Sequence, residues 1–229
     1  MLYTGAKACY RTSLELCKLL LSLDLSNDPL GVILMIDFYA LRSRQYKYLI
    51  DFYIHFNPIK HLSLLPNMQY SIALAYFHLY EDTRNIEHLN EADKQLKEAL
   101  VKFPGLLLDL LEKCAIQPDK EVEKHDFFSK HSHLSTPEGL KCLINLYAIR
   151  MNSEWKIPEV VVWLEKNVKK IIEDSKSFIK AINENKNKFK SLFVKIPPNV
   201  LRHVILSDSK DMRINLPPVI TKKSFYLIA

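Results

Sequence analysis

Apolar residues return along most of this chain at intervals of three and four, the spacing that lines one face of an α-helix. From Cys9 onward, Leu14, Cys17 and Leu21, with Leu16, Leu20 and Leu23 beside them, form a broad apolar stripe. Ser26-Asn27-Asp28-Pro29 breaks it. Asp28 is the expected N-cap of the next helix and Pro29 its first residue, where a missing N–H costs nothing. That helix is predicted to reach about Ser43, and a third to run from Tyr46 to Phe56, ended by Pro58. His61 to Pro66 reads as a connector, Asn67 to Tyr80 as a further helix, and Glu87 to Phe103 as another, closed by Pro104-Gly105. Leu106 to Cys114 is apolar on nearly every side, so the short helix it predicts must be buried.

Residues 118–136 are polar, with Lys120, Glu121, Glu123, Lys124, His125, Lys130, His131 and His133 in quick succession, and predict a long loop or hinge. Thr136-Pro137-Glu138 starts a helix to about Met151. Pro158 opens the longest predicted helix, to roughly Asn183, with Val161, Leu164, Val168, Ile171, Ile172 and Phe178 on its apolar side. After Pro197-Pro198 come a short helix to about Leu206, a weaker one, and Pro217-Pro218. No stretch alternates with the period of two that marks a strand. The predicted fold class is therefore all-α. Ala92, Leu96, Ala99 and Pro104 stand at the small, bulky, small and proline spacings of a tetratricopeptide second helix, and Ser13, Cys17, Leu20 and Leu25 match them in part. A strict 34-residue period is lacking, so a generic helical bundle is the alternative to a tetratricopeptide-like α-α hairpin array, an α-solenoid. Either arrangement stacks helix pairs into a surface that holds a partner. The expected organisation is helical hairpins over 1–117, a polar loop or hinge over 118–136, a C-terminal helical part with a basic segment over 137–221, and a divergent tail over 222–229.

Composition narrows the function. The chain has 229 residues, of which four are glycine and eleven proline. Phosphate-cradling loops and hairpins need glycine for positive φ, so nucleotide-loop enzymes and all-β folds are disfavoured. Cys9, Cys17, Cys114 and Cys142 form no CxxC pair and read as reduced core thiols of a nuclear or cytosolic protein. The first residues have no signal architecture, and the apolar stretch Leu30 to Ala40 falls short of the roughly 20 residues a membrane span needs. No nucleophile-elbow, dinucleotide, phosphate-loop or His-Glu-x-x-His motif occurs. A non-catalytic scaffold without cofactor or metal is expected. His125, His131 and His133, with Cys114 upstream, are the one metal-like constellation, but their spacing fits no standard zinc pattern. A solvated loop anchored by Phe127 and Phe128 is the preferred reading.

Charge supplies the candidate site. The formal net charge is +6, and between Lys166 and Arg202 ten basic residues face only Glu173, Asp174 and Glu184, a local net of +7. Such a segment suits RNA phosphates or an acidic protein surface, although lysines on a helix also serve as plain solubilising groups. Lys166, Lys169, Lys170, Lys186, Lys188, Lys190, Lys195, Arg202 and His203 are the candidate partner-binding surface. Arg202-His203 also reads as a snorkelling pair. Trp155 and Trp163, flanking Pro158, read as core packing.

Several phrases carry a resemblance: Cys9-Tyr10-Arg11-Thr12, Asn27-Asp28-Pro29-Leu30, Leu62-Ser63-Leu64-Leu65-Pro66-Asn67, Phe103-Pro104-Gly105, Trp163-Leu164-Glu165-Lys166-Asn167-Val168 and Arg202-His203-Val204-Ile205-Leu206-Ser207. In this order, over about residues 9–221, the chain closely resembles the transcription factor 25 family, also called nuclear localized protein 1, whose fungal counterpart is subunit 1 of the ribosome quality control complex. The resemblance implies an adaptor on the large ribosomal subunit that works with the Listerin ubiquitin ligase and ubiquitin to mark stalled nascent chains, in the cytoplasm, the nucleus or both. An older description of the family implies the alternative, a nuclear transcriptional repressor. The resemblance carries over no catalytic residue. Family members extend beyond both ends of the match, so the chain is expected to be a fragment or a truncated gene product.

Overall fold

A computed structural model describes residues 8–207 and places them in eleven α-helices, with no strand among the described residues. These are α1 (Tyr10–Leu23), α2 (Ile36–Arg42), α3 (Tyr46–Lys60), α4 (Pro66–Thr83), α5 (Ile86–Lys102), α6 (Gly105–Lys113), α7 (Lys120–Lys124), α8 (Glu138–Trp155), α9 (Pro158–Glu173), α10 (Ser175–Leu192) and α11 (Pro198–Ser207). The expected tail over 222–229 and the weak helix before Pro217-Pro218 lie outside the described residues.

The centre is α4, with twelve of its eighteen residues buried. It makes a hairpin with α5 across a tight turn at Arg84, which adopts positive φ, and Asn85, whose side chain accepts from the Glu87 N–H at 3.0 Å. The start of α4 meets the end of α5: the Tyr70 hydroxyl donates to Phe103 O at 3.1 Å and Lys102 donates to Gln69 Oε1. The pair is therefore antiparallel. α5 buries Ala92, Leu96, Ala99 and Leu100, the small-and-bulky register expected of it. Helix α6 buries Leu106, Leu107, Leu108, Leu110 and Leu111.

Aromatic rings tie the later helices to α4. Trp163 stacks on Phe77 at 4.4 Å and 19°, Trp155 stacks on Trp163 at 6.3 Å and 10°, and Tyr70 meets Trp155 edge-on at 5.9 Å. Contacts of this kind contribute about 0.5–1.5 kcal/mol each beyond area burial. Both tryptophans are thus core residues.

Three expected boundaries are corrected. Asp28 does not cap a helix opening at Pro29. With φ of 39° it turns its carboxylate onto the N–H groups of Val32 and Ile33, at 2.7 and 3.0 Å, and caps a short 3-10 turn, after which α2 starts at Ile36. Pro58 does not end α3, which continues to Lys60. Proline frees the carbonyl four residues back, but Ile54 is 61% exposed, so water can serve it. The longest predicted helix is two helices, divided at Asp174 (φ −100°, ψ 27°). There Ser177 turns both its N–H (3.1 Å) and its hydroxyl (2.8 Å) onto Asp174 O, local bonds that compete with the helical ladder. The break lets α10 fold back onto α5, where Phe189 stacks on Phe103 at 4.9 Å and 7°.

Beyond α10 the chain crosses α8 at Gly139, where an added Cβ would lie 2.9 Å from the carbonyl oxygens of Phe193 and Lys195. On an open helix Gly→Ala gains about 1 kcal/mol. Here the clash with two backbone atoms reverses the sign, and Gly139→Ala should lose roughly 1–3 kcal/mol. A lowered thermal midpoint in calorimetry is the expected result, whereas a raised midpoint would contradict the packing of this segment.

Candidate functional site

The basic segment separates into parts of different character. α9 carries Lys166, Lys169 and Lys170 against Glu159, Glu165 and Glu173, a net of zero, while α10 carries Lys176, Lys180, Lys186, Lys188 and Lys190 against Glu184 alone, a net of +4.

On α9, charge serves structure. Lys169 lies 2.5 Å from Glu165 and 3.8 Å from Asp119, and Lys170 lies 3.0 Å from Asp93. Asp93, on α5, also accepts from Trp163 Nε1 at 2.7 Å and Asn167 Nδ2 at 3.0 Å. Burial works to raise its carboxyl, but those two bonds, with the bond and charge of Lys170, hold it below the ordinary carboxylate value. Asp93 thus joins α5 to α9. Lys166 is exposed.

On α10, positioning is apolar. Ile182 and Phe189 are buried, and Lys97 of α5 lies 4.6 Å from the Phe178 ring centroid. Among the described residues no α10 lysine is within ion-pair reach of a carboxylate. Lys186 and Lys190, one turn apart, flank Phe189 and line a cleft with Lys102 from the end of α5 and with Ser132, Ser135 and Thr136 from the loop before α8. No carboxylate lines this cleft among the described residues. Burial, with Lys188 adding repulsion, lowers the Lys102 ammonium pKa despite Glu98. Periodicity gave no sign of Lys102 as a member of this group, because it sits on another helix more than eighty positions away.

The remaining candidates disperse. Lys195 is exposed on the crossing segment. Arg202 donates to Pro29 O at 2.8 Å. His203 is only 2% exposed and lies inside the protein rather than on a surface. In the loop, His133 Nε2 donates to Phe127 O at 2.7 Å, His125 packs edge-on against Phe127 at 4.8 Å, and His131 is exposed. Phe127 and Phe128 are buried anchors. Across Gly105 and His133 from the cleft lies a larger groove of about 470 Å³, in which Asp109, Glu112 and Glu138 are matched by Lys113, Lys130 and Lys141.

A family model described as Transcriptional repressor TCF25 matches residues 1–228. The chain belongs to the TCF25 family. The human protein named Ribosome quality control complex subunit TCF25 is 40% identical over 229 residues, covering 98% of this chain and 34% of its own length. The Dictyostelium discoideum protein of the same name is 32% identical, covering 93% and 32%. Ribosome quality control complex subunit 1 of Schizosaccharomyces pombe is 28% identical, covering 93% and 28%. The chain therefore spans about a third of the length of these curated relatives. No solved structure matches it. Among the described residues no helix is long and apolar enough to cross a membrane, and no three His, Cys, Asp or Glu side chains gather as a metal set.

In this TCF25-family chain, His203 latches α11 to the body. Its Nε2 lies 2.9 Å from Arg150 Nη2 and its Nδ1 lies 3.1 Å from Leu30 O. Arginine only donates and a carbonyl only accepts, so the imidazole is neutral with its proton on Nδ1. Burial first, then the Arg150 charge, push its pKa from 6.5 down to about 3, against the Leu30 bond. The unfolded chain therefore takes up a proton below 6.5 that the fold refuses. The stability this supplies is complete above that value and falls by about 1.4 kcal/mol per pH unit toward 3. His203→Gln keeps an acceptor and a donor but does not titrate. Chemical denaturation between pH 7 and 4 should show a shallower loss in that variant. Equal slopes would contradict the latch.

Proposed function

We propose that this chain is the helical, non-catalytic adaptor portion of a ribosome quality control subunit, and that it meets the ribosomal RNA of the large subunit through α10. The carrying observation is the uneven use of charge. α9 commits Lys169 and Lys170 to Asp93, Glu165 and Asp119, whereas α10 holds its place by Phe189 and Ile182 and leaves a net of +4 without ion-pair partners among the described residues. The names of the human, Dictyostelium discoideum and fission-yeast relatives support the same reading. A Listerin-type ubiquitin ligase and ubiquitin are the protein partners proposed with it, in the cytoplasm with a nuclear pool. The family description as a transcriptional repressor favours a second reading, in which the same lysines engage duplex DNA in the nucleus.

Co-sedimentation tests the first reading. After translation is stalled, tagged full-length protein should migrate with split large subunits. Lys186→Glu, Lys188→Glu and Lys190→Glu together should reduce co-migration about tenfold or more at moderate salt. With three ammonium groups removed from the phosphates, the dependence of log affinity on log salt should flatten by about 2. Undiminished co-migration of the triple variant would end the α10 reading. Tight, sequence-selective duplex binding without ribosome association would favour the second.

A further inference from the structure

Ser135-Thr136-Pro137 has no part in the adaptor reading, yet it lies between a charge-balanced cavity and a cationic one. Thr136 lines both. On one side stands the groove, where Asp109, Glu112 and Glu138 are balanced by Lys113, Lys130 and Lys141; on the other stands the cleft with Lys102, Lys186 and Lys190. Pro137 (φ −57°, ψ 147°) disfavours helical backbone at Thr136, and an extended chain is the form in which a protein kinase takes its substrate. Leu134 is 71% exposed and Ser135 is exposed, so the segment can be reached from solvent.

We propose that Thr136 is a phosphoacceptor whose phosphate is received by the cleft of Lys102, Lys186 and Lys190. The Thr136 hydroxyl oxygen attacks the γ-phosphorus of ATP on a proline-directed protein kinase. The bond from that phosphorus to the bridging oxygen breaks, ADP leaves with the electron pair, and the hydroxyl proton passes to the kinase's base. The product carries a charge of about −1.5 to −2 near neutral pH. Charge favours the cleft, because the groove sets Asp109, Glu112 and Glu138 against Lys113, Lys130 and Lys141, a net of zero, while the cleft has three lysines and no carboxylate among the described residues. Space allows it as well. The cleft leaves about 40 Å³ for the centres of water-sized groups, where one water needs roughly 10–15 Å³. The repulsion between Lys102 and Lys188 gains a counter-charge. The loop before α8 is thereby fastened to α5 and α10, and the net charge of +4 on α10 is roughly halved.

The purified full chain should accept one phosphate from a proline-directed kinase and ATP, located at Thr136 by mass spectrometry and absent from Thr136→Ala. Phosphorus NMR then reads the contact directly. The second ionisation of an unpartnered phosphothreonine falls near pH 6, and three facing ammonium groups should lower it by about 1 unit. In the phosphorylated Lys186→Gln, Lys190→Gln variant it should return toward 6, with the helical circular dichroism unchanged. If that variant fails to fold, a rise of the wild-type value with added salt reads the same contact. No transfer to Thr136, or an ionisation indifferent to both the lysines and salt, would overturn the proposal.

Discussion

Enclosure of α4 is the constraint on which the rest of the structure depends. A helix surrounded on every side must satisfy its polar side chains internally, since an unmade bond costs about 1–3 kcal/mol. The partners lie on three different neighbours. Asn67 donates to Ile33 O at 3.1 Å in the 3-10 turn, Ser71 to Asp37 Oδ2 at 2.7 Å on α2, and Tyr70 to Phe103 O beyond α5. Gln69 accepts from Lys102 of α5. Apolar contacts between the same helices are non-directional and would tolerate sliding by part of a turn. These bonds would not. They convert a greasy centre into one register for three flanking elements.

The same centre reaches the second half of the chain. Ser71 Oγ also lies 3.3 Å from the Tyr147 hydroxyl, which takes the Trp155 Nε1 proton at 3.0 Å. Arg150, one turn beyond Tyr147 on α8, donates to Leu34 O and to His203. One polar path therefore runs from α2 through α4 and α8 to α11, beside the stacked rings of Phe77, Trp163 and Trp155. Asp37 is the costly member of the path. Burial pushes its carboxyl up, and Ser71, the Arg150 charge and Asn67 work against that shift. A buried acid tolerated at this junction fits a role in specifying the arrangement more than in stabilising it.

Helical class, the Ala92-Leu96-Ala99 register and the burial of Leu106 to Leu111 were legible because periodicity reports which face a helix hides. Boundaries were less so. Pro58 falls where the freed carbonyl meets solvent, and Asp174 breaks a helix whose apolar stripe runs on without interruption, so neither can be judged without knowing what lies outside the helix. The candidate site was legible only as a total charge. Asp93, which neutralises Lys170, is 77 residues away, and Lys102 joins Lys186 from another helix. His203 carried the weakest signal of all. A histidine beside an arginine in an apolar run reads as surface, and only the Arg150 and Leu30 partners reveal a neutral, buried ring.

The way α10 is held bears on what its lysines can do. A helix pinned by ion pairs has its charges already engaged, and a partner must first break those pairs, as it would on α9. α10 is instead fixed by the Phe103–Phe189 stack, by Phe193 packed edge-on against Phe189 at 5.6 Å, and by the seat at Gly139 that follows. None of these contacts consumes charge, so ionic screening does not weaken them. The scaffold can thus hold a row of ammonium groups in place at an ionic strength that weakens their own attraction to a phosphate. Salt would then act on binding more than on the seat of α10, which is the behaviour a surface needs if it is to grip and release a polyanion without rearranging.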